Sequence, residues 1–200
     1  MLYNIGNFLR NRKNVSEISF QKDNAVNWEF TVLDWLQETA RTPLADFVMP
    51  VLSSLSDAGL LWILLGVALL CFKATRRQGA VLLVALLLEF IFCNGILKPV
   101  VARLRPYDVR DIADLLVPEL HDFSFPSGHT AVSFAAAASL YFTKSRLAVP
   151  AVLLACAIAF SRLYLYVHFP TDVLAGLLLG ILSALLSRKL CRKLLAKHIG

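Results

Sequence analysis

Three short segments set residues able to do acid–base or anion chemistry at the ends of apolar runs. They are KPVVARLRP (98–106), PSGH (126–129) and SRLYLYVHFPTD (161–172). The first carries Lys98 and Arg105, with Pro106 stopping any helix. The second places Ser127, Gly128 and His129 at the start of an apolar run. The third carries Arg162, His168 and Asp172. Fixed cations, two histidines, one carboxylate and a helix N-terminus together suit phosphoryl transfer. Arg105 and Arg162 can grip phosphate oxygens in bidentate fashion, and Lys98 adds a point charge. In PSGH the proline sets the approach, Ser127 can cap the helix and Gly128 lets phosphate oxygens come close to the backbone. Backbone N–H groups at that helix start favour an anion, and preorganised donors also stabilise charge that develops in the transition state.

The two histidines divide the chemistry. One must attack phosphorus as a neutral imidazole, and the other must protonate the leaving oxygen. Pro170 suits the first position of a helix, which puts Asp172 in the first turn, close to His168. A carboxylate that holds one ring nitrogen fixes the tautomer and makes the other nitrogen the better nucleophile. His168 is therefore read as the nucleophile, Asp172 as its orienting group and His129 as the general acid.

The elements that must position these groups are apolar. The chain has 200 residues, 58% hydrophobic and 17% charged, with a mean hydropathy of +0.64. A soluble domain carries roughly 45–50% apolar and 25% charged residues, so this is a membrane composition within one domain's length. Lys and Arg outnumber Asp and Glu by 20 to 14, but they cluster at the ends of apolar runs, which argues against a nucleic-acid partner. The four cysteines lie in or beside apolar runs without metal-ligand spacing and read as small hydrophobes. The first twenty residues lack the apolar core and cleavage site of a removed signal peptide.

Five apolar runs read as spans: about 56–72, 79–97, 128–143, 147–166 and 171–187. Several are near the short end of the roughly 17–25 residues that cross a bilayer. The segment 44–56 adds a short or kinked N-terminal one. The expected fold class is therefore all-α, a polytopic membrane helix bundle of about six helices. Before it, 1–27 reads as a polar N-terminal extension. Residues 28–43 read as an amphipathic interfacial helix, with Trp28, Val32, Trp35 and Leu36 on one face. The long loop 98–127 is functional by its length, with a short amphipathic helix expected near DIADLLVPEL (111–120).

Basic clusters at Lys73, Arg76 and Arg77, at Lys144 and Arg146, and at Arg188, Lys189, Arg192, Lys193 and Lys197 fall on one side of a five-span bundle. The positive-inside rule makes that side cytoplasmic. The three polar segments then share the outer face.

These segments resemble the three signature motifs of the type 2 phosphatidic acid phosphatase (PAP2) superfamily, KxxxxxxRP, PSGH and SRxxxxxHxxxD, with every motif position matched. The resemblance covers about 44–187, and makes 44–200 a PAP2-type transmembrane phosphatase domain. It implies a phosphatase that works without metal or cofactor, through a phosphohistidine. Lys98, Arg105, Ser127, Gly128 and Arg162 would bind phosphate, His168 would attack, Asp172 would orient it and His129 would protonate the leaving group. Soluble vanadium haloperoxidases share the motifs but are not built of spanning runs. The implied partners are a lipid phosphate substrate and the bilayer of the cell membrane. An outward site suits recycling of undecaprenyl diphosphate. The alternatives are phosphatidic acid or phosphatidylglycerol phosphate, or a non-catalytic lipid-phosphate binder or flippase. No feature of the sequence sets an oligomeric state.

Other residues read as structural. Glu89, mid-span and opposite Lys98 on an ideal helix, reads as an interhelical contact. Asn94 is a supporting candidate on Lys98's face. Gly176 and Gly180 read as packing within the bundle, and Tyr164 and Tyr166 as interface anchors. Arg103, Tyr107 and Arg110 are candidates for binding a headgroup.

Overall fold

A chain this apolar must satisfy its backbone polar groups internally, and helices are the means that needs no partner strand. The computed structural model describes residues 27–197, apart from Asp111 and Ala113, and the described residues form helices and loops with no strand. The polar extension expected over 1–27 lies outside the described residues except for Asn27, as do Asp111 of the long loop and the side chains of Lys193 and Lys197.

Helix α1 (Asn27–Thr39) precedes α2 (Pro43–Ser54). Thr42 starts α2: its hydroxyl accepts from Ala45 N at 3.2 Å, and Pro43 takes the first helical position, where its missing N–H costs nothing. A three-residue turn, Asp57–Gly59, with Ala58 and Gly59 at positive φ, separates α2 from α3 (Leu60–Cys71). The two are bent by 45° and together have the length and apolarity of one span. The 44–56 segment is thus a short helix joined to the next by a bend, in keeping with the short or kinked element expected there.

Helix α4 (Arg76–Phe90) runs on through a π-helical segment, Ile91–Leu97, and one α-helical turn, α5 (Lys98–Val101). After α6 (Pro106–Val109) and the long loop come α7 (Gly128–Phe142), α8 (Ala148–Tyr164) and α9 (Pro170–Lys197). The stretches Arg76–Val109 and Pro170–Arg192 are each long and apolar enough to cross a membrane, and α8 is a shorter apolar helix.

The core sits where α4, α8 and α9 surround α7, with Trp62, Leu82, Ala135, Ala136, Ala137, Leu140, Ile158 and Ala184 buried together. A ring of exposed Leu, Val and Phe, including Phe47, Leu64, Leu87, Leu153, Leu178 and Leu182, covers the outside, as expected of surfaces that face lipid. Helices α7 and α9 touch backbone to backbone. A Cβ on Gly176 would lie 2.5 Å from Ser127 O, and one on Gly180 the same distance from Ala131 O. The GxxxG pair therefore packs inside the bundle, as its spacing suggested.

The π segment changes one expectation. Its i→i+5 bonding turns the chain less per residue than an α-helix does, so Glu89 and Lys98 no longer point apart and instead line one cavity. The long loop changes another. The described residues of 111–120 form no helix; Leu115, Leu116, Val117 and Leu120 pack irregularly on Tyr107, Leu165 and Val167. Pro118 lacks the N–H a helix would use, and the Tyr107 hydroxyl substitutes for helical bonds by accepting from Leu120 N at 2.9 Å and donating to Leu120 O at 3.1 Å.

Helix α1 packs Phe30, Leu33 and Leu36 inward and leaves Trp28 and Trp35 exposed. Tyr164 and Tyr166 are also buried rather than at an interface. Their hydroxyls donate to Asp46 and Asp34, each at 2.6 Å.

A side chain at the α7–α9 contact has nowhere to go. Gly180→Val is expected to destabilise the fold by about 1–3 kcal/mol, the usual cost of overpacking. Thermal unfolding in detergent checks this against Leu182→Val on the exposed face of α9, which should change little.

Candidate active site

The three polar segments meet at one end of the bundle. Arg105 N-caps α6 and is 1% exposed. Its Nε donates to Asp122 O at 3.0 Å, its Nη1 to Val167 O at 2.8 Å and its Nη2 to Asp122 Oδ1 at 2.5 Å. Nη1 also lies 3.2 Å from His168 Nε2. A guanidinium only donates, so Nε2 is the lone-pair nitrogen of His168 and Nδ1 carries the proton.

Nδ1 faces inward, 3.6 Å from Asp172 Oδ2 and 3.4 Å from Ser124 Oγ. The Ser124 hydroxyl in turn donates to Asp172 Oδ2. His168 and Asp172 are brought together as expected, but Ser124 stands between them. Phe169 N donates to the same carboxylate oxygen at 2.9 Å, so the first turn of α9 wraps Asp172 as predicted from Pro170. Burial, and then the charges of Arg105, Arg162 and Lys98, hold His168 well below the ordinary histidine value. It is therefore neutral at neutral pH, the form a nucleophile needs.

Arg162, on the last turn of α8, is 2% exposed. Its Nη1 donates to Ser53 Oγ at the end of α2, while Nε and Nη2 are buried with no hydrogen-bond partner among the described residues. Leaving guanidinium donors unmade in the interior is costly, and an anion is the ligand that would satisfy them. Lys98 is nearly buried and pairs with Asp122 Oδ2. The Cβ position of Gly128 lies 3.6 Å from Lys98 Nζ, so this glycine faces the same cations.

Ser127 differs from expectation in detail. Its hydroxyl makes no N-cap bond and instead shares a 2.9 Å hydrogen bond with Thr130 Oγ1. Its backbone N donates to Asp172 O at 3.0 Å, which ties the second segment to the third. His129 opens α7 with Nε2 2.8 Å from Asp57 Oδ1. Asp57 belongs to the turn at the α2–α3 bend, and Ser56 beside it hydrogen-bonds Ser133 at 3.0 Å.

All eight residues expected from sequence thus lie at one end, and four partners are added: Ser124, Asp122, Asp57 and Ser53. Ser124 and Asp122 had a readable signal, since HDFS immediately precedes FPSGH. Asp57 and Ser53 had none, because the bend that delivers them is a tertiary feature. The headgroup candidates are otherwise engaged: Arg103 turns to Asp172, Tyr107 to Leu120, and Arg110 to Asp34 at 2.9 Å with its guanidinium over the Phe30 ring.

A cavity of about 560 Å³ opens beside His129, Lys98 and Asp122 and runs between α3 and α4. Ile63, Leu83, Leu86, Leu87, Phe90 and Val132 line it, so its walls suit hydrocarbon. Asn94 and Glu89 line it as well. Glu89 is 3% exposed and its Oε1 has no hydrogen-bond partner among the described residues.

The class is thus an all-α, membrane-type bundle that buries a histidine against an arginine at one end. Residues 78–195, more than half of the chain, match the PAP2 superfamily, and the protein belongs to that superfamily. An undecaprenyl-diphosphatase of Sulfolobus acidocaldarius is 34% identical over 118 residues, which cover 58% of this chain and 57% of that relative. The chain thus spans little more than half the length of this curated relative. The crystal structure of Aquifex aeolicus LpxE superposes with a TM-score of 0.71 at 30% identity, over 80% of this chain and 94% of that one. A transmembrane PAP2-type phosphatidylglycerolphosphate phosphatase of Bacillus subtilis gives 0.69 at 27% identity, over 88% and 90%.

Asp122 occupies the cations on which an anion would land. Burial alone would raise its carboxyl, but Lys98 and Arg105 outweigh that and hold it well below the usual carboxylate range, so it is an anion at any working pH. Asp122→Asn removes the competing charge, and orthovanadate is expected to bind several-fold more tightly. Calorimetric titration of the detergent-solubilised protein with vanadate checks this, and unchanged or weaker binding would show that Asp122 does not compete.

Proposed function

We propose that the protein is a membrane lipid phosphatase that cleaves a lipid phosphate or diphosphate through a phosphohistidine. The observation that carries this is the pairing of His168 Nε2, 3.2 Å from Arg105 Nη1, with the unpartnered donors of Arg162. Lys98, Arg105 and Arg162 hold the phosphate oxygens, with Ser127 and Gly128 at the helix start. These fixed cations neutralise charge in the transition state without a metal. His168 Nε2 attacks phosphorus as the bond to the leaving oxygen breaks, and His129 gives that oxygen its proton. Ser124 and Asp172 hold the Nδ1 proton of His168 and offset the positive charge the ring gains. In the second step His129, now neutral, takes a proton from water as the water oxygen attacks phosphorus. The N–P bond breaks, His168 is restored and phosphate leaves.

Undecaprenyl diphosphate, giving undecaprenyl phosphate and phosphate, is the leading substrate, and the likeness to an archaeal undecaprenyl-diphosphatase supports it. A second reading, phosphatidylglycerol phosphate, or phosphatidic acid by the same chemistry, draws support from the similar Bacillus subtilis structure. In either case the lipid tail lies in the apolar cavity between α3 and α4. The outer face is our proposed side for the site, supported by basic residues Lys73, Arg76, Lys144 and Arg188 at the opposite helix ends.

His168→Ala is expected to lower phosphate release from undecaprenyl diphosphate in detergent by at least about 10³-fold, as for loss of a covalent nucleophile. Wild-type activity should persist in excess chelator. Undiminished turnover by the variant, or loss in chelator that only added metal restores, would overturn the assignment. Comparable rates on all three lipids would replace the leading substrate with broad specificity.

The topology has its own measurement. A Cys replacing Glu119, with the native cysteines removed, should react with an impermeant maleimide added outside intact cells. Labelling only after permeabilisation would invert the model of the fold in the membrane.

A further inference from the structure

Helix α1 lies before the part of the chain that matches the superfamily, yet it sends a carboxylate to the nucleophile's support. Glu29 is 1% exposed, and both of its oxygens are committed. Oε2 accepts from Arg103 Nη2 at 2.5 Å. Oε1 accepts from the Thr171 hydroxyl at 2.6 Å and from Thr171 N at 3.2 Å. The other arm of the same guanidinium, Arg103 Nη1, donates to Asp172 Oδ1 at 2.7 Å and to Thr171 Oγ1 at 2.7 Å. The Arg103 plane rests on the Phe169 ring, 4.0 Å from its centroid. One arginine therefore bridges two buried carboxylates, and the sequence Glu29, Arg103, Asp172, Ser124, His168 is continuous.

We infer that Glu29, through Arg103, is a positioning residue for the phosphoryl-transfer reaction, holding Asp172 in place and setting how strongly it supports His168. The inference rests on the phosphohistidine reading above. The physics is that of a shared cation. Arg103 alone would draw Asp172 toward itself and weaken its pull on the Nδ1 proton. Glu29 takes one arm of the fork and half of the compensation, which leaves Asp172 Oδ2 free to serve Ser124 and His168. Neither Glu29 nor Arg103 is placed against the phosphate, so their loss should act on the chemical step and not on binding.

The charge makes a prediction that packing does not. Without the Glu29 carboxylate, the Arg103 charge acts unopposed on His168 and disfavours its protonated form. The acid limb of kcat/KM, which reports the free enzyme's nucleophile, then moves to lower pH while the plateau falls. Glu29→Gln is measured against wild type, in detergent, with undecaprenyl diphosphate and phosphatidic acid as the probes. The expected result is kcat lowered roughly 10- to 100-fold, the scale of a misplaced catalytic group, with KM nearly unchanged and the acid limb shifted down.

Glu29→Asp, which keeps the charge, should restore the limb in part. Leu33→Ala, on the same buried face of α1, should lower thermal stability and leave the limb in place. If Leu33→Ala moves the limb as Glu29→Gln does, helix docking explains the effect and the inference falls. It falls as well if Glu29→Gln keeps wild-type kcat and pH profile. Should Glu29→Gln not fold, Arg103→Lys decides, because a single ammonium cannot bridge both carboxylates. A kcat loss at constant KM supports the inference and unchanged kcat overturns it. His168→Ala run in parallel separates the two readings: an active His168→Ala sinks the phosphohistidine, whereas an inactive one beside a normal Glu29→Gln sinks only the role of Glu29.

Discussion

A guanidinium has five N–H donors and no acceptor, and at 1% exposure Arg105 has almost no water to meet them. Much of the site follows from how those donors are satisfied. Two carbonyls and a carboxylate, from Asp122 and Val167, come from parts of the chain far apart in sequence. Meeting them pins the long loop to the turn after α8. That turn then has one way to present His168, with Nε2 against the arginine and Nδ1 turned to Ser124. An arginine that the loop failed to reach would be an uncompensated charge in the interior, which costs several kcal/mol. The loop therefore stays ordered where it matters although it has almost no regular structure.

Around that point the bundle solves a second problem, that of bringing helix starts together. Helices normally pack with axes 8–10 Å apart, too far for main-chain groups on two of them to bond. Gly176 and Gly180 remove the side chains that would hold α7 and α9 apart, and the close approach extends to their N-terminal ends. There Ser127 N reaches Asp172 O at 3.0 Å. The start of α7 and the carboxylate behind His168 are thus joined through main chain, with no rotamer freedom between them.

Much of this was legible in the sequence, for local reasons. Lys98, Arg105, Ser127, Gly128, His129, Arg162, His168 and Asp172 could be assembled because each sits at the end of an apolar run, and the runs dictate which ends meet. The Pro170 helix start and the Gly176–Gly180 contact were equally local. What escaped depended on geometry that no period encodes. The π-helical turns at Ile91–Leu97 rotated Glu89 onto the face of Lys98. The bend between α2 and α3 delivered Ser53 and Asp57. Tyr164 and Tyr166 looked like interfacial aromatics until Asp46 and Asp34 gave their hydroxyls buried partners. The helix expected at 111–120 failed because Tyr107 offered Leu120 an alternative pair of hydrogen bonds.

The bend at Asp57–Gly59 has one more consequence. It gives His129 its own carboxylate, Asp57, whereas His168 is held from α1, the long loop and α9. The bond from Ser127 N to Asp172 O joins the two supports in one main-chain frame. A change at the bend would therefore reach His129 directly and His168 only through the start of α7.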